Sequence, residues 1–401
     1  MLCQFTFKNF KSYKNETTLD FQAANLPEFD ETLISSKNAP DLIPVSVVYG
    51  PNGGGKSNLL QALSCVISTV VKPVHELGKN RQSIILQQYV DAKPFLFDEV
   101  SSDEPTEFRL FILINNNMYC YYIAIKNHEV ISESLTRKSV TGKKTADIFD
   151  REKNTITLGY SINKKSINVH VNPKIPYLSF LAINYDISEI NEIMTWFESC
   201  IIRSYANPII EHQILLEKYE EYKNLFIKAL NDMDIDITDY RYDEESHMLY
   251  MKRKLGNNEY ELSFSEESDG TKKLITALPI ILLALREGRL IIIDELDAKL
   301  HPKLLRYVIL LFKDKAVNPH GAQLLFTSHD MSTMKNTIFR RDEIWFAAAN
   351  DTHESDIYSL HELRNEDGSR IKNTASYDKQ YLEGRYGGDP YLKNMLGGAF
   401  T

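Results

Sequence analysis

The segment VSVVYGPNGGGKSNLL, residues 45–60, constrains this chain more than any other stretch. Residues 45–49 read as a short, apolar, β-branched strand of the kind covered on both faces. A helix is expected over 57–71. Between them stand Gly50, Gly53, Gly54 and Gly55, followed by Lys56. A turn so free of side chains lets successive backbone N–H groups face inward around an anion, and the new helix adds its positive dipole end. GPNGGGKS fits the spacing G-x-x-x-x-G-K-[ST] with both flanks in place. Lys56 then suits the β- and γ-phosphates of a nucleotide, and the Ser57 hydroxyl suits Mg²⁺. The nucleotide-binding segment is taken as Asn52, Gly53, Gly54, Gly55, Lys56, Ser57 and Asn58. The alternative is a Gly-rich turn that happens to precede a lysine.

Two further strand ends offer matching chemistry. LIIIDELD, residues 290–297, is a buried run that delivers Asp294 and Glu295 at its carboxyl end, where ligands of open α/β sheets bind. Asp294 suits the Mg²⁺ shell, and Glu295 suits a base that orients and deprotonates a water. QLLFTSHD, residues 323–330, brings His329 to the end of another buried strand, within reach of a γ-phosphate or its attacking water. Taken singly, either could be an ordinary strand end. In SEESDGTKKL, residues 265–274, Ser268 could cap a helix and Gly270 could let the backbone approach an anion, although a plain helix cap accounts for the same spacing.

Composition narrows the setting. The 401 residues are 43% hydrophobic and 25% charged, enough for a sizeable core and more than one subdomain. A net charge of -9 argues against a surface that attracts nucleic acid as a whole. Local basic clusters stand at Arg137, Lys138, Lys143 and Lys144, at Lys164 and Lys165, and at Lys252, Arg253 and Lys254; they read as solvated loop charges or as nucleic-acid contacts. Cys3, Cys65, Cys120 and Cys200 are too scattered for a metal clip or a disulfide framework, which fits a reducing cytoplasm. The longest apolar stretch, 274–285, contains Pro279 and is too short to cross a bilayer. The opening MLCQFTFKNF lacks the pattern of a secretion signal. A cytoplasmic protein away from the membrane is expected.

Along the chain, residues 1–25 alternate as two strands around a turn at 12–16, and 106–171 read as an antiparallel β region. Residues 187–230 change to helical spacing, with two helices expected. From 259 strands and helices alternate again, with Pro302 opening a helix. Residues 363–401 are weakly patterned. The expected division is 1–95, with the phosphate loop; 96–175, an antiparallel β subdomain; 176–250, a helical insertion; and 251–401, with the remaining motifs.

In order, NFKSY, GPNGGGKS, ESDGT, LIIIDELDAKLHP and FTSHD resemble the SMC/Rad50/RecF branch of ABC-type ATPases. More narrowly, the chain resembles bacterial AAA-type ATPases of the RloA-like or abortive-infection kind, relatives of the OLD nucleases. FLFDEVSSDEPTEFRLFI and YLEGRYGGDP are also similar to that subgroup, so the resemblance covers nearly the whole chain. It implies an α/β P-loop NTPase fold of ABC/SMC-head type, with an inserted antiparallel β subdomain and a short helical subdomain. It implies ATP and Mg²⁺ as cofactors and ATP hydrolysis as the reaction. ESDGT becomes the signature loop, in which Ser268 and Gly270 match the family's serine and second glycine, while Asp269 replaces the usual first glycine. Asp297 falls at the dimer-contacting D-loop, and His329 matches the switch histidine. Gln87 and Gln88 are candidates for the Q-loop glutamine. One chain carries one phosphate loop and one signature, and the resemblance implies that two chains complete each other as a head-to-tail homodimer around two ATP molecules.

Roughly 210 residues separate the phosphate loop from the signature, and at about 1.5 Å per helical residue those left after the β region cannot form long coiled-coil arms. About 70 residues follow His329, short for a TOPRIM nuclease domain of about 100. The expected function is therefore an ATPase whose nucleotide state controls a separately encoded nuclease or toxin, in defence against phage. The alternative is a DNA-repair ATPase of the RecF or Rad50 type that binds DNA directly through the basic clusters. A P-loop kinase or GTPase is a third reading, disfavoured by the acid that follows Asp294 and by the lack of a guanine-specifying Asn-Lys-x-Asp tract.

Overall fold

In the computed structural model, which describes residues 1–77, 90–162, 166–204, 223–243, 245–365 and 367–388, two sheets enclose one long helix. The central sheet has six strands, in the order β16 (Ser355–Ser359), β15 (Ile344–Ala349), β3 (Val45–Tyr49), β14 (Gln323–Thr327), β13 (Leu290–Asp294) and β9 (Ile201–Ser204). The five from β15 to β9 are parallel, and β16 returns antiparallel along β15. Every residue of β3 and β14 is buried, as strands covered on both faces must be. Val47 and Tyr49 turn towards α6 (Asp269–Glu287) and α7 (Pro302–Lys313), whereas Val48 turns towards α1 (Lys56–Leu77). With β3, β14 and β13 adjacent, the carboxyl ends of the phosphate-loop, histidine and Asp-Glu strands lie side by side on one sheet edge.

The second sheet is antiparallel, in the order β2 (Thr17–Asp20), β1 (Leu2–Lys8), β4 (Thr106–Ile114), β5 (Asn117–Lys126), β6 (Glu129–Ser139), β7 (Thr145–Glu152) and β8 (Thr155–Leu158). Its aromatic face, including Phe5, Phe108 and Tyr121, shares one core with α1 and with α3 (Tyr177–Asn184) and α4 (Ser188–Ser199). Helix α1 is therefore buried around most of its circumference, as a helix between two sheets must be. The sheets are stitched directly where β1 meets β14. The Leu2 N–H donates to Gln323 Oε1 at 2.7 Å, and Gln323 Nε2 donates to the Leu2 carbonyl at 2.9 Å.

A buried ion pair fastens the helices to the antiparallel sheet. Glu133, fully buried, accepts from the N–H groups of Tyr177 (2.5 Å) and Leu178 (3.0 Å) and from the Tyr121 hydroxyl (3.0 Å). The Arg151 guanidinium stands 3.6 Å away. Burial pushes the Glu133 carboxyl pKa up, against the pull of the backbone N–H groups and Arg151. Glu133→Ala leaves Arg151 buried without its counter-charge and strands two helix-start N–H groups, so it should cost about 3–5 kcal/mol in a denaturant titration.

Several elements differ from expectation. The first two strands extend the antiparallel sheet, so this sheet begins at the chain start. The helical pattern read over 187–204 breaks at Ser199, and Ile201–Ser204 becomes β9, pairing with β13. Two β-branched residues beside an open strand edge favour extension there. The second helix expected in 187–230 is present, so far as the described residues reach, as α5 (Lys223–Asp232). The segment 176–250, expected as a helical insertion, also contributes β10 (Asp239–Asp243) and the start of β11 (Met248–Leu255), which form a meander with β12 (Asn258–Ser263). In the weakly patterned tail, α8 (Tyr377–Leu382) brings Tyr381 onto Phe346 at 5.4 Å, with Tyr386 beside it. The YLEGRYGGDP motif thus packs on β15, and its residues from 389 onwards lie outside the described part.

Candidate nucleotide site

The turn between β3 and α1 runs backbone to backbone against β15 and packs on the Ser355 side chain of β16. Gly50 has φ 145°, and a Cβ there would stand 2.1 Å from the Ala347 carbonyl oxygen. Gly55 has φ 107°, and its Cβ would meet the Ser355 hydroxyl at 2.6 Å. Glycine is required at both by conformation and by space. The NFKSY motif braces this turn from below. The Tyr13 hydroxyl donates to the Gly55 carbonyl at 3.2 Å, and Asn58 Nδ2 donates to Ser12 Oγ at 2.8 Å. Ser12 in turn bonds to Ser355 through its hydroxyl (2.8 Å) and its carbonyl (2.7 Å).

Lys56 is 6% exposed, and its Nζ donates to the carbonyls of Gly50 (2.9 Å) and Pro51 (3.0 Å). Burial pulls its pKa down, and the charges of Asp294, Glu295 and Asp297 partly oppose that. An anionic phosphate is a stronger partner for an ammonium than a neutral carbonyl.

At the neighbouring strand ends, Asp294 Oδ1 accepts from the hydroxyls of Ser57 (3.2 Å) and Thr327 (2.7 Å). The Glu295 N–H donates to Thr327 Oγ1 at 2.7 Å. Glu295 has φ 54°, a left-handed conformation costly for a side chain of this kind, and its carboxylate is exposed. Asp297 Oδ2 accepts the His329 N–H at 2.9 Å, while its buried Oδ1 has no hydrogen-bond partner among the described residues. Thr327 was not singled out in the sequence, because its role depends on β14 lying beside β13.

These pieces converge. One cavity of about 220 Å³ is lined by Asn52, Gly53, Gly55, Lys56, Ser57 and Asn58 together with Glu295, Thr327 and His329. Gly54 is buried beneath it against β15. Two ligands at right angles on an octahedral Mg²⁺, each about 2.1 Å from the ion, lie about 3.0 Å apart. The 3.2 Å between the Ser57 hydroxyl and Asp294 fits that spacing. Among the described residues no group of three or more His, Cys, Asp or Glu side chains could hold a metal alone. An ion here would take its remaining ligands from phosphate and water.

Ser268 and Gly270 stand elsewhere. Ser268 caps α6, its Oγ accepting from the Thr271 N–H at 3.2 Å. Together with Lys299, His301 and Tyr307 both residues line a separate cavity of about 620 Å³. Gln87 and Gln88 lie outside the described residues. No helix among the described residues is long and apolar enough to cross a membrane.

The family comparison fits this geometry. Residues 45–335, well over half of the chain, match the family described as "AAA domain, putative AbiEii toxin, Type IV TA system". No curated protein matches. Solved structures that overlap it include an SMC head bound to the C-terminal winged-helix domain of ScpA. That overlap has 12% identity and a TM-score of 0.45, and covers 89% of this chain and 97% of that one. Another is a dimeric ATP-binding cassette in a post-hydrolysis state with ADP and phosphate, at 12% identity and a TM-score of 0.30, covering 86% of this chain and 94% of that one. With the phosphate loop, the Asp-Glu strand and the histidine strand adjacent in one parallel sheet, and the family match spanning all three, the chain belongs to this AAA-domain family and is a P-loop ATPase.

Proposed function

We propose that this ATPase is a switch that closes as a head-to-tail homodimer around two ATP molecules and opens on hydrolysis. Its nucleotide state governs a separately encoded nuclease or toxin in phage defence, within the cytoplasm. The observation that carries the reading is the division of the site. Lys56, Ser57, Glu295 and His329 surround one cavity, while Ser268 and Gly270 line another. A capped helix start held away from its own phosphate loop is free to approach the nucleotide of a partner, as the resemblance implies for ESDGT. The family description, which names a putative toxin of a type IV toxin–antitoxin system, supports a role in defence.

Within this scheme the glycine N–H groups and Lys56 would hold the phosphates, and Ser57 and Asp294 would hold Mg²⁺, which when bound would supply charge neutralisation at the phosphates. Glu295 orients a water and accepts its proton, and His329, fixed through its backbone by Asp297, lies where it can contact the γ-phosphate. Turnover is slow, as suits a regulatory clock. The four segments proposed are the ATPase lobes 1–95 and 251–401, the β subdomain 96–175, whose sheet β1 and β2 of the first lobe extend, and the helical insertion 176–250.

Direct DNA binding of the repair type is less well supported. In two of the basic clusters cations are already paired: Arg137 with Glu189 at 3.3 Å, Lys252 with Asp239 at 3.6 Å, and Arg253 with Glu267 at 2.6 Å. Light scattering tests the switch. Glu295→Gln with ATP and Mg²⁺ should elute at twice the monomer mass and return to monomer with ADP. A monomer under saturating ATP would overturn the reading.

A further inference from the structure

An apolar run such as LITALPIILLAL needs no charge at its threshold, yet Lys273 is buried there in α6, 1% exposed. A buried ammonium is costly unless well bonded. Lys273 Nζ donates to the carbonyls of Glu295 (2.7 Å) and Ala298 (2.9 Å). Both belong to the turn after β13, where Glu295 (φ 54°) and Lys299 (φ 62°) hold left-handed backbone. Two more contacts clamp the same pair of segments. Lys299 Nζ donates to Asp269 Oδ2 at 2.9 Å, and the Lys299 carbonyl oxygen lies 2.8 Å from where a Gly270 Cβ would stand. The start of α6 and the Glu295–Lys299 turn therefore form one unit, with Lys273 at its buried centre.

We infer that Lys273 is a positioning residue that couples the two nucleotide sites of the dimer. The inference rests on the head-to-tail dimer proposed above. In that dimer, Ser268 and Gly270 of a chain approach the partner's ATP, whereas Glu295 of the same chain faces its own. Seating the cap on one nucleotide then fixes, through Lys273, the backbone of the residue that acts on the other. Such a link is a coupling free energy between sites, and it must appear as cooperativity in both directions. Each site hydrolyses only when both are filled.

Steady-state ATP titrations of wild type, Lys273→Met and Lys273→Arg test the coupling. Methionine fills a similar volume without donors, and arginine restores N–H donors. Wild type should give a Hill coefficient above about 1.5, against a ceiling of two for two sites. Lys273→Met should fall to about 1 and lose about tenfold or more in kcat, with KM within about threefold. Lys273→Arg should recover most of both. Light scattering on the Glu295→Gln background should show the Lys273→Met dimer still forming with ATP. A wild-type dimer that titrates without cooperativity, or a Lys273→Met dimer as cooperative as wild type, overturns the coupling and leaves the dimer intact. A wild type that never dimerises with ATP fails the dimer reading itself and takes the coupling with it. Should Lys273→Met melt too early to assay, Lys273→Gln, which keeps one donor group, carries the same comparison.

Discussion

Lys56→Ala should abolish ATP binding. Lys56 is the one lysine or arginine lining the 220 Å³ cavity among the described residues. Its ammonium is held in place by the Gly50 and Pro51 carbonyls rather than by a carboxylate. It is therefore aimed before any anion arrives, and little conformational entropy remains to be lost on binding. A hydrogen bond to a charged partner contributes about 1.5–3 kcal/mol, and two to a triphosphate together come to about 3–6 kcal/mol. The variant should lose at least about a hundredfold in affinity, measured by calorimetric titration with ATP and Mg²⁺. Thermal melting is the control, since Lys56 forms no salt bridge among the described residues. Affinity within about tenfold of wild type would mean that the turn after β3 is not the phosphate cradle.

Glu295→Gln should reduce hydrolysis by about 10²–10⁴ while leaving ATP affinity within about threefold. The amide keeps the size and shape of the side chain but cannot accept the proton of the attacking water. The backbone around it would stay as it is, because the Glu295 N–H is tied to Thr327 and its carbonyl to Lys273. Binding and chemistry should therefore separate in the kinetics, with kcat falling and KM nearly constant. Turnover at the wild-type rate would remove Glu295 from the role of base.

What could be read directly in the sequence were features whose physics is local. The phosphate turn depends on glycines within a few residues of one another, and the Asp-Glu and histidine strands depend on apolar runs that end in polar groups. All three emerge where expected, and the structure adds their adjacency in one sheet. What stayed hidden depends on partners distant in the chain. Thr327 matters only because β14 lies next to β13, and Lys273 only because α6 packs under the turn at 295–298. Ile201 and Ile202 carry a pattern that suits helix or strand, and the open edge of β13 decides between them. In the meander, β12 lies where a strand was expected as alternation resumes from 259, whereas β10 and β11 were missed. Only Tyr240, Leu249 and Met251 of those two strands are buried, so their alternation is weak.

The clasp formed by Gln323 on Leu2 has a mechanical consequence. A side-chain amide that returns both backbone bonds of one residue behaves like an extra rung of strand pairing, buried where water cannot compete for it. The large sheet and the histidine strand therefore meet at a welded joint rather than a hinge. Torque applied to the rim of that sheet arrives at Gln323 at the base of β14, six residues before His329, without slack.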